Sequence, residues 1–219
     1  MAQLASETTR ASEQRLRMSY EEFLASDVSE GHAEWVDGEV IVFMPANTRH
    51  ARVVRFLSSL LVSYVDAVKF GEVFIAPYEM RLARSAREPD ILFVTRNHLD
   101  RVDRQRLVGP ADLAVEIISD DSVARDRAHK HYEYEEAGVD EYLLIDPRPR
   151  RERTELFRLD AEEKYQSVPA DDRGRLHFET IPGCWIDRAW LLQDPLPNLR
   201  DVIAEIAPEY FGGLNRPQQ

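Results

Sequence analysis

The sequence predicts a mixed α/β or α+β domain, with a central β-sheet of mixed strand direction flanked by helices and a β-rich C-terminal extension. Three observations carry this expectation. Residues 49–69 repeat apolar side chains at helical spacing, residues 112–119 form a nearly continuous apolar run, and a polar helical segment separates that run from a second apolar strand at 141–145.

The elements follow in order. Residues 1–17 are polar and contain no apolar stretch, which excludes a secretory signal and predicts a disordered tail. Ser19 and Glu22 form a capping box ahead of Phe23 and Leu24, the signature of a short helix. Residues 33–37 and 39–44 alternate about Asp37-Gly38, a hairpin signal. In the 49–69 helix, Val53, Val54, Leu57, Leu60, Leu61, Tyr64 and Val68 share one face, and Gly71 is the expected stop. Strands follow at 72–76, 78–82 and 90–95. Pro89 cannot donate to a ladder, so Asp90 belongs at the start of its strand or on an edge. A polar, arginine-rich connection leads through Gly109-Pro110 to the strand at 112–119.

Beyond it come a helix at 122–137 stopped by Gly138 and the strand at 141–145, ended by Asp146-Pro147. Residues 154–159, 164–168 and 175–179 read as short strands, and 185–192 and 201–206 as short closing helices. No linker divides the chain. The expected organisation is one domain over 18–195, with 196–219 as a C-terminal helix and tail.

Composition limits the function classes. Of 219 residues, 43% are hydrophobic and 31% charged, the balance of an ordinary globular protein. No apolar run approaches the roughly 18 residues of a membrane span. Cys184 is the single cysteine, so no internal disulfide and no thiolate zinc cluster can form; this fits a cytoplasmic protein. The net charge of −12 argues against a protein that coats nucleic acid by charge alone, yet leaves room for a local basic groove. Two segments are locally basic. Residues 81–106 hold Arg81, Arg84, Arg87, Arg96, Arg101, Arg104 and Arg106, and residues 148–158 hold Arg148, Arg150, Arg151, Arg153 and Arg158. Pairing with the abundant surface carboxylates is the plainest use for them.

Three residues stand out chemically. Asp90, in E-P-D-I-L-F-V, shares a strand face with Leu92 and Val94. Glu116, in L-A-V-E-I-I-S, interrupts a run expected of a strand covered on both faces, where an ionised carboxylate is costly unless paired or holding a metal. A buried ion pair with an arginine is the structural alternative. Lys130, in D-R-A-H-K-H-Y-E-Y, lies four residues from both Asp126 and Tyr134, which puts the three close to one helical face. Alone, that stripe is an ordinary solvated one. Because the helix leaves the strand that carries Glu116, however, its inner face should pack back over that strand and bring Lys130 to the carboxylates. Two carboxylates on adjacent strands beside a lysine form a hard-oxygen site for Mg²⁺ or Mn²⁺.

At these residues the chain resembles the Uma family of restriction-endonuclease-like proteins, within the PD-(D/E)XK nuclease superfamily. The resemblance runs from about Met18 to Tyr165, through M-S-Y-E-E-F-L, A-E-W-V-D-G-E-V-I, R-H-A-R-V-V, E-P-D-I-L-F-V, P-A-D-L-A-V-E-I-I-S-D-D-S and D-R-A-H-K-H-Y-E-Y-E-E-A-G-V-D-E-Y-L-L-I-D-P. Each piece is weak alone; their order makes the match specific. It implies a restriction-endonuclease-like core, with Asp90 and Glu116 as metal ligands together with the carbonyl of Ile117. The usual E-X-K spacing would put the lysine at Ile118, and Lys130 on the following helix is its functional substitute. Glu34 matches an early glutamate that supports a metal or its water, with an exposed hairpin charge as the alternative. Asp126 and Tyr134 orient Lys130 or pack beneath it, and His50, near the start of the long helix, is either a contact to substrate phosphate or an ordinary helix-terminus residue. His129 and His131 point apart and form no metal pair.

The leading expectation is a metal-dependent endonuclease that hydrolyses nucleic-acid, chiefly DNA, phosphodiesters with Mg²⁺ or Mn²⁺ and works as a homodimer through the β-rich extension. The alternative from another class is a catalytically inactive nuclease-fold module used for binding. A serine hydrolase built on Ser119 or Ser122 is disfavoured because no G-x-S-x-G elbow exists.

Overall fold

A computed structural model describes residues 15–30, 33–42, 47–119 and 125–211. The described residues open with strand β1 (Arg15–Arg17), three residues of the segment expected as tail, which pair antiparallel with a later strand; the rest of that segment, residues 1–14, lies outside the described residues. Helix α1 (Tyr20–Leu24) begins at the capping box: the Ser19 hydroxyl accepts from the Glu22 amide, and the Glu22 carboxylate accepts from the Ser19 amide. The hairpin β2 (Ala33–Val36) and β3 (Glu39–Val42) turns at Asp37-Gly38, both with positive φ as a two-residue turn requires.

Helix α2 (Thr48–Val68) is capped by the Asn47 side chain, which accepts from the His50 amide at 2.9 Å and so fixes the first turn. Val53, Leu57, Leu60 and Leu61 are fully buried, each worth about 2 kcal/mol of transfer free energy. The helix stops at Lys69, which takes the left-handed conformation, rather than at Gly71. Gly71 instead permits a close approach of strands, since a Cβ there would lie 2.1 Å from the Val94 carbonyl oxygen.

Strands β4 (Gly71–Ile75), β5 (Glu79–Arg81), β6 (Ser85–Arg87) and β7 (Ile91–Thr95) follow, and Asp90 directly precedes β7 as its proline neighbour dictates. The arginine-rich connection is more ordered than its composition suggests. It holds a 3-10 helix at Arg96–Arg101 and strand β8 (Arg106–Val108). Then come β9 (Leu113–Ile117), α3 (Arg125–Ala137) and β10 (Glu141–Asp146). The extension comprises β11 (Arg153–Leu159), β12 (Tyr165–Val168), β13 (Arg175–His177) and β14 (Trp185–Asp187), then helices α4 (Arg188–Leu192), α5 (Leu199–Ile206) and α6 (Pro208–Phe211). Residues 185–187 thus form a strand, not the start of a helix: a short apolar run cannot distinguish the two by periodicity. Val202 and Ile206 of α5 enter the main core.

The central sheet runs β12-β11-β10-β9-β7-β4, with β9 and β10 parallel and the other neighbours antiparallel. A second sheet, β1-β3-β2-β6-β5-β8, is separate from it, so the early hairpin does not extend the central sheet. Alternation explains the layering. Ile91, Phe93, Leu113, Val115, Ile117, Leu143 and Ile145 bury against α2, α4 and α5, while Leu92, Val94, Ala114, Ile118 and Leu144 bury with Tyr134 of α3 and with Met80 and Leu107 of the second sheet. Glu116 therefore points, between Ala114 and Ile118, toward α3.

Candidate active site

Asp90 and Glu116 meet because of strand register. In the antiparallel β7–β9 pair, Ile91 faces Val115 and Leu92 faces Ala114, so one step further Asp90 stands opposite Glu116. Directly opposed residues bring their Cβ atoms to about 5 Å on one face of the sheet. The Ile117 amide donates to Asp90 Oδ2 at 2.7 Å, which ties the aspartate to the adjacent strand. His50, in the first turn of α2, sets its Nε2 3.1 Å from Asp90 Oδ1.

Glu116 is paired, with a lysine and a tyrosine of α3. Its Oε1 accepts from Lys130 Nζ at 2.9 Å and from the Tyr134 hydroxyl at 2.8 Å. Helical spacing of four residues stacks those two donors on the inner face of α3. Tyr134 is fully buried, and burial together with the Glu116 charge pushes its phenol well above the usual range. It remains a donor at any working pH.

Lys130 is only 4% exposed and bridges two carboxylates, since Nζ also lies 2.9 Å from Glu34 Oε1. Glu34, at 1% exposure, is no surface hairpin charge. Its Oε1 also accepts from the Glu88 amide at 3.1 Å, and its Oε2 from Arg87 Nη1 at 2.8 Å. Burial alone would raise the Glu34 carboxyl, but the Lys130 and Arg87 cations outweigh it and hold the group down at about 2. Arg87, itself buried on β6, reaches on to Glu133 of α3, which also accepts from the Ser85 hydroxyl. Burial works against the Arg87 charge; Glu34 and Glu133 more than offset it.

The structure thus gathers Asp90, Glu116, Lys130, Tyr134, Glu34 and His50 of the residues singled out in the sequence. The Asp126 side chain lies outside the described residues. His129 is exposed, and His131 packs edge-on against Phe157 and Tyr165, so neither joins the site. Sequence reasoning missed Arg87 and Glu133. Glu133 carried a signal, for it sits three residues from Lys130 on the same helical face. Arg87 carried none, because its role depends on the second sheet packing against α3.

The donor set suits a hard divalent cation. Three carboxylates, those of Glu116, Glu34 and Glu133, pair with Lys130 and Arg87, and Asp90 stands across the strand pair from Glu116. Asp90 and Glu116 face one another beside the backbone of Ile117, and Mg²⁺ commonly binds through one or two carboxylates while keeping several waters. Among the described residues, no three His, Cys, Asp or Glu side chains form a fuller cage.

Comparison with known proteins agrees with this architecture. The Uma2 family model, described as "putative restriction endonuclease", matches residues 20–189. Among solved structures, a chain from Anabaena variabilis described as "a putative nuclease belonging to DUF820" aligns with a TM-score of 0.66. At 16% identity the match covers 80% of this chain and 97% of that one, a likeness of fold. No curated protein matches.

Proposed function

Because the chain belongs to the Uma2 family, we propose that it is a metal-dependent endonuclease that hydrolyses phosphodiester bonds, with DNA as its substrate and Mg²⁺ or Mn²⁺ as its ion. The observation that carries this reading is the pairing of Asp90 and Glu116 across the two central strands, with the Lys130 ammonium on the Glu116 oxygen.

In this reading Asp90, Glu116 and the carbonyl of Ile117 hold the ion. When bound, it supplies Lewis-acid polarisation of a phosphoryl oxygen. The protein's own groups do the rest. Lys130 offers a fixed positive charge, and its donors hold the attacking water or neutralise charge that develops on the phosphate. Tyr134 locks the Glu116 carboxylate in one orientation by donating to the same oxygen. His50 holds Oδ1 of Asp90. Glu34 is reassigned from possible metal ligand to positioning residue, because both of its oxygens already accept from Lys130, Glu88 and Arg87. The chain is expected to act as a homodimer, using the open edge of β12 in the central sheet.

Purified protein incubated with plasmid DNA is expected to cut only with Mg²⁺ or Mn²⁺, and both Asp90→Ala and Glu116→Ala should abolish cutting. Calorimetry should show Mn²⁺ binding that weakens in both variants. Cleavage that persists in the two variants removes this site. Absence of both Mn²⁺ binding and cleavage favours the inactive binding module. Light scattering that gives a monomer mass removes the dimer.

A further inference from the structure

We propose that the turn between β10 and β11, residues 147–152, binds backbone phosphates of the nucleic-acid strand that flank the bond being cut; this rests on the nuclease reading above. Position comes first. β9 and β10 are parallel, with Glu116 beside Leu144 and Ile117 beside Ile145. The chain therefore leaves β10 at the same end of the sheet at which Glu116 and Asp90 lie. One strand spacing of about 4.8 Å and a few residues at about 3.3 Å each put the base of the turn on the order of 10 Å from Glu116.

The turn is braced by its own hydrogen bonds. Arg148 is buried and grips Asp146 in two-pronged fashion, with Nε to Oδ1 and Nη2 to Oδ2 both at 2.8 Å. The Arg151 amide donates back to the Arg148 carbonyl at 3.0 Å, and Arg150 takes the left-handed conformation at φ 68°. The closing pair of the hairpin sets Asp146 opposite Arg153.

Its tip carries uncommitted charge. Arg150 and Arg151 are exposed, and among the described residues neither has an ion-pair or hydrogen-bonding partner for its guanidinium. The acid within the turn is Glu152, while Arg153 pairs with Glu155 at 2.8 Å. Among the described residues Arg17, Arg84, Arg158 and Arg175 find carboxylates, whereas Arg55, Arg104, Arg173 and Arg188 stand singly without one; at 150–151 two such guanidinium groups are adjacent in the chain. Two adjacent guanidinium groups on an anchored turn, beside a carboxylate-rich centre, suit a polyanion that must be held near that centre without neutralising it.

The test uses the full chain and a short labelled DNA duplex in EDTA, with binding measured as a function of salt. Arg150→Asn combined with Arg151→Gln should lower the slope of log K against log salt by about 1.8, close to 0.9 for each phosphate no longer neutralised. The weakening should be equal for duplexes of unrelated sequence, because phosphate contacts carry no base information. The melting temperature should not move. An unchanged slope, or a wild type that does not bind duplex at all, overturns the proposal. A reduced slope in a protein that never cuts DNA with Mn²⁺ would keep the turn's role and remove the hydrolytic reading instead; unchanged binding in a protein that cuts does the reverse.

Discussion

The two ends of the central sheet treat buried carboxylates differently. At the entry ends of β9 and β10, Asp112 and Glu141 are saturated by donors fixed in the surrounding chain. Asp112 accepts from the Thr95 amide and hydroxyl at 2.7 and 3.1 Å and lies 2.7 Å from His98 Nδ1. Glu141 accepts from the Glu179 and Thr180 amides, the Thr180 hydroxyl and Arg158. Those bonds staple loops and the extension onto the sheet. At the exit end, Glu116 meets an ammonium and a phenol from a single helix, and Asp90 a strand amide and an imidazole. Burial of a carboxylate is thus not by itself the mark of a reactive site. What distinguishes the exit end is that two carboxylates face each other across one strand pair beside the Lys130 ammonium, which Glu34 and Glu116 hold.

Substitutions can break this contrast, and the largest effect is expected at the pair itself. Glu116→Ala or Asp90→Ala should eliminate metal-dependent cleavage, whereas Asp112→Asn should lower the melting temperature and leave the turnover of folded protein near wild type. Equal loss of activity at both ends, measured on folded fractions, would erase the distinction. Next comes Lys130→Met, which leaves Glu34 and Glu116 buried without their shared ammonium. A cost of about 3–5 kcal/mol in chemical denaturation is expected, together with loss of cutting.

A pH effect follows in size. The Glu34 carboxyl is lowered from its ordinary 4.5 to about 2 in the folded chain, so its stabilising contribution is complete above 4.5 and disappears as the pH falls to about 2. Thermal melts should fall more steeply across that window in wild type than in Glu34→Gln; parallel curves would show that the carboxylate contributes nothing through its cations. Smallest is Tyr134→Phe, which deletes one hydrogen bond to Glu116 and should cost about 1 kcal/mol while slowing cleavage severalfold. A change confined to stability, with the cleavage rate untouched, would make the phenol purely structural.

The site was legible in the sequence where chemistry and local periodicity coincided. A charge inside the apolar run of β9 drew attention to Glu116, a proline marked Asp90 as the first residue before its strand, and spacing on α3 paired Lys130 with Tyr134. The rest needed the tertiary fold. Arg87 lies 53 residues from Glu34 and 46 from Glu133 in the chain, and nothing local distinguishes it from Arg81 or Arg84, which serve carbonyl oxygens and Asp37. The same holds for the separation of the two six-stranded sheets, because hairpin signals reveal neighbours along the chain and not which sheet a hairpin joins. Short β-strands such as β6 and β8 fall below the length at which alternation can be read.

Glu34 stands on the second sheet, Glu116 on the first, and Lys130 spans the gap between them. The ammonium is therefore correctly placed only while the two layers stay docked. A slight parting of those layers, well short of losing the helices or the central strands, would release the lysine and, on the proposed mechanism, end cleavage. During gradual denaturation of a Trp35→Phe variant, cleavage should fade before the tryptophan signal of Trp185 and Trp190, which sit in the other core, reports any unfolding.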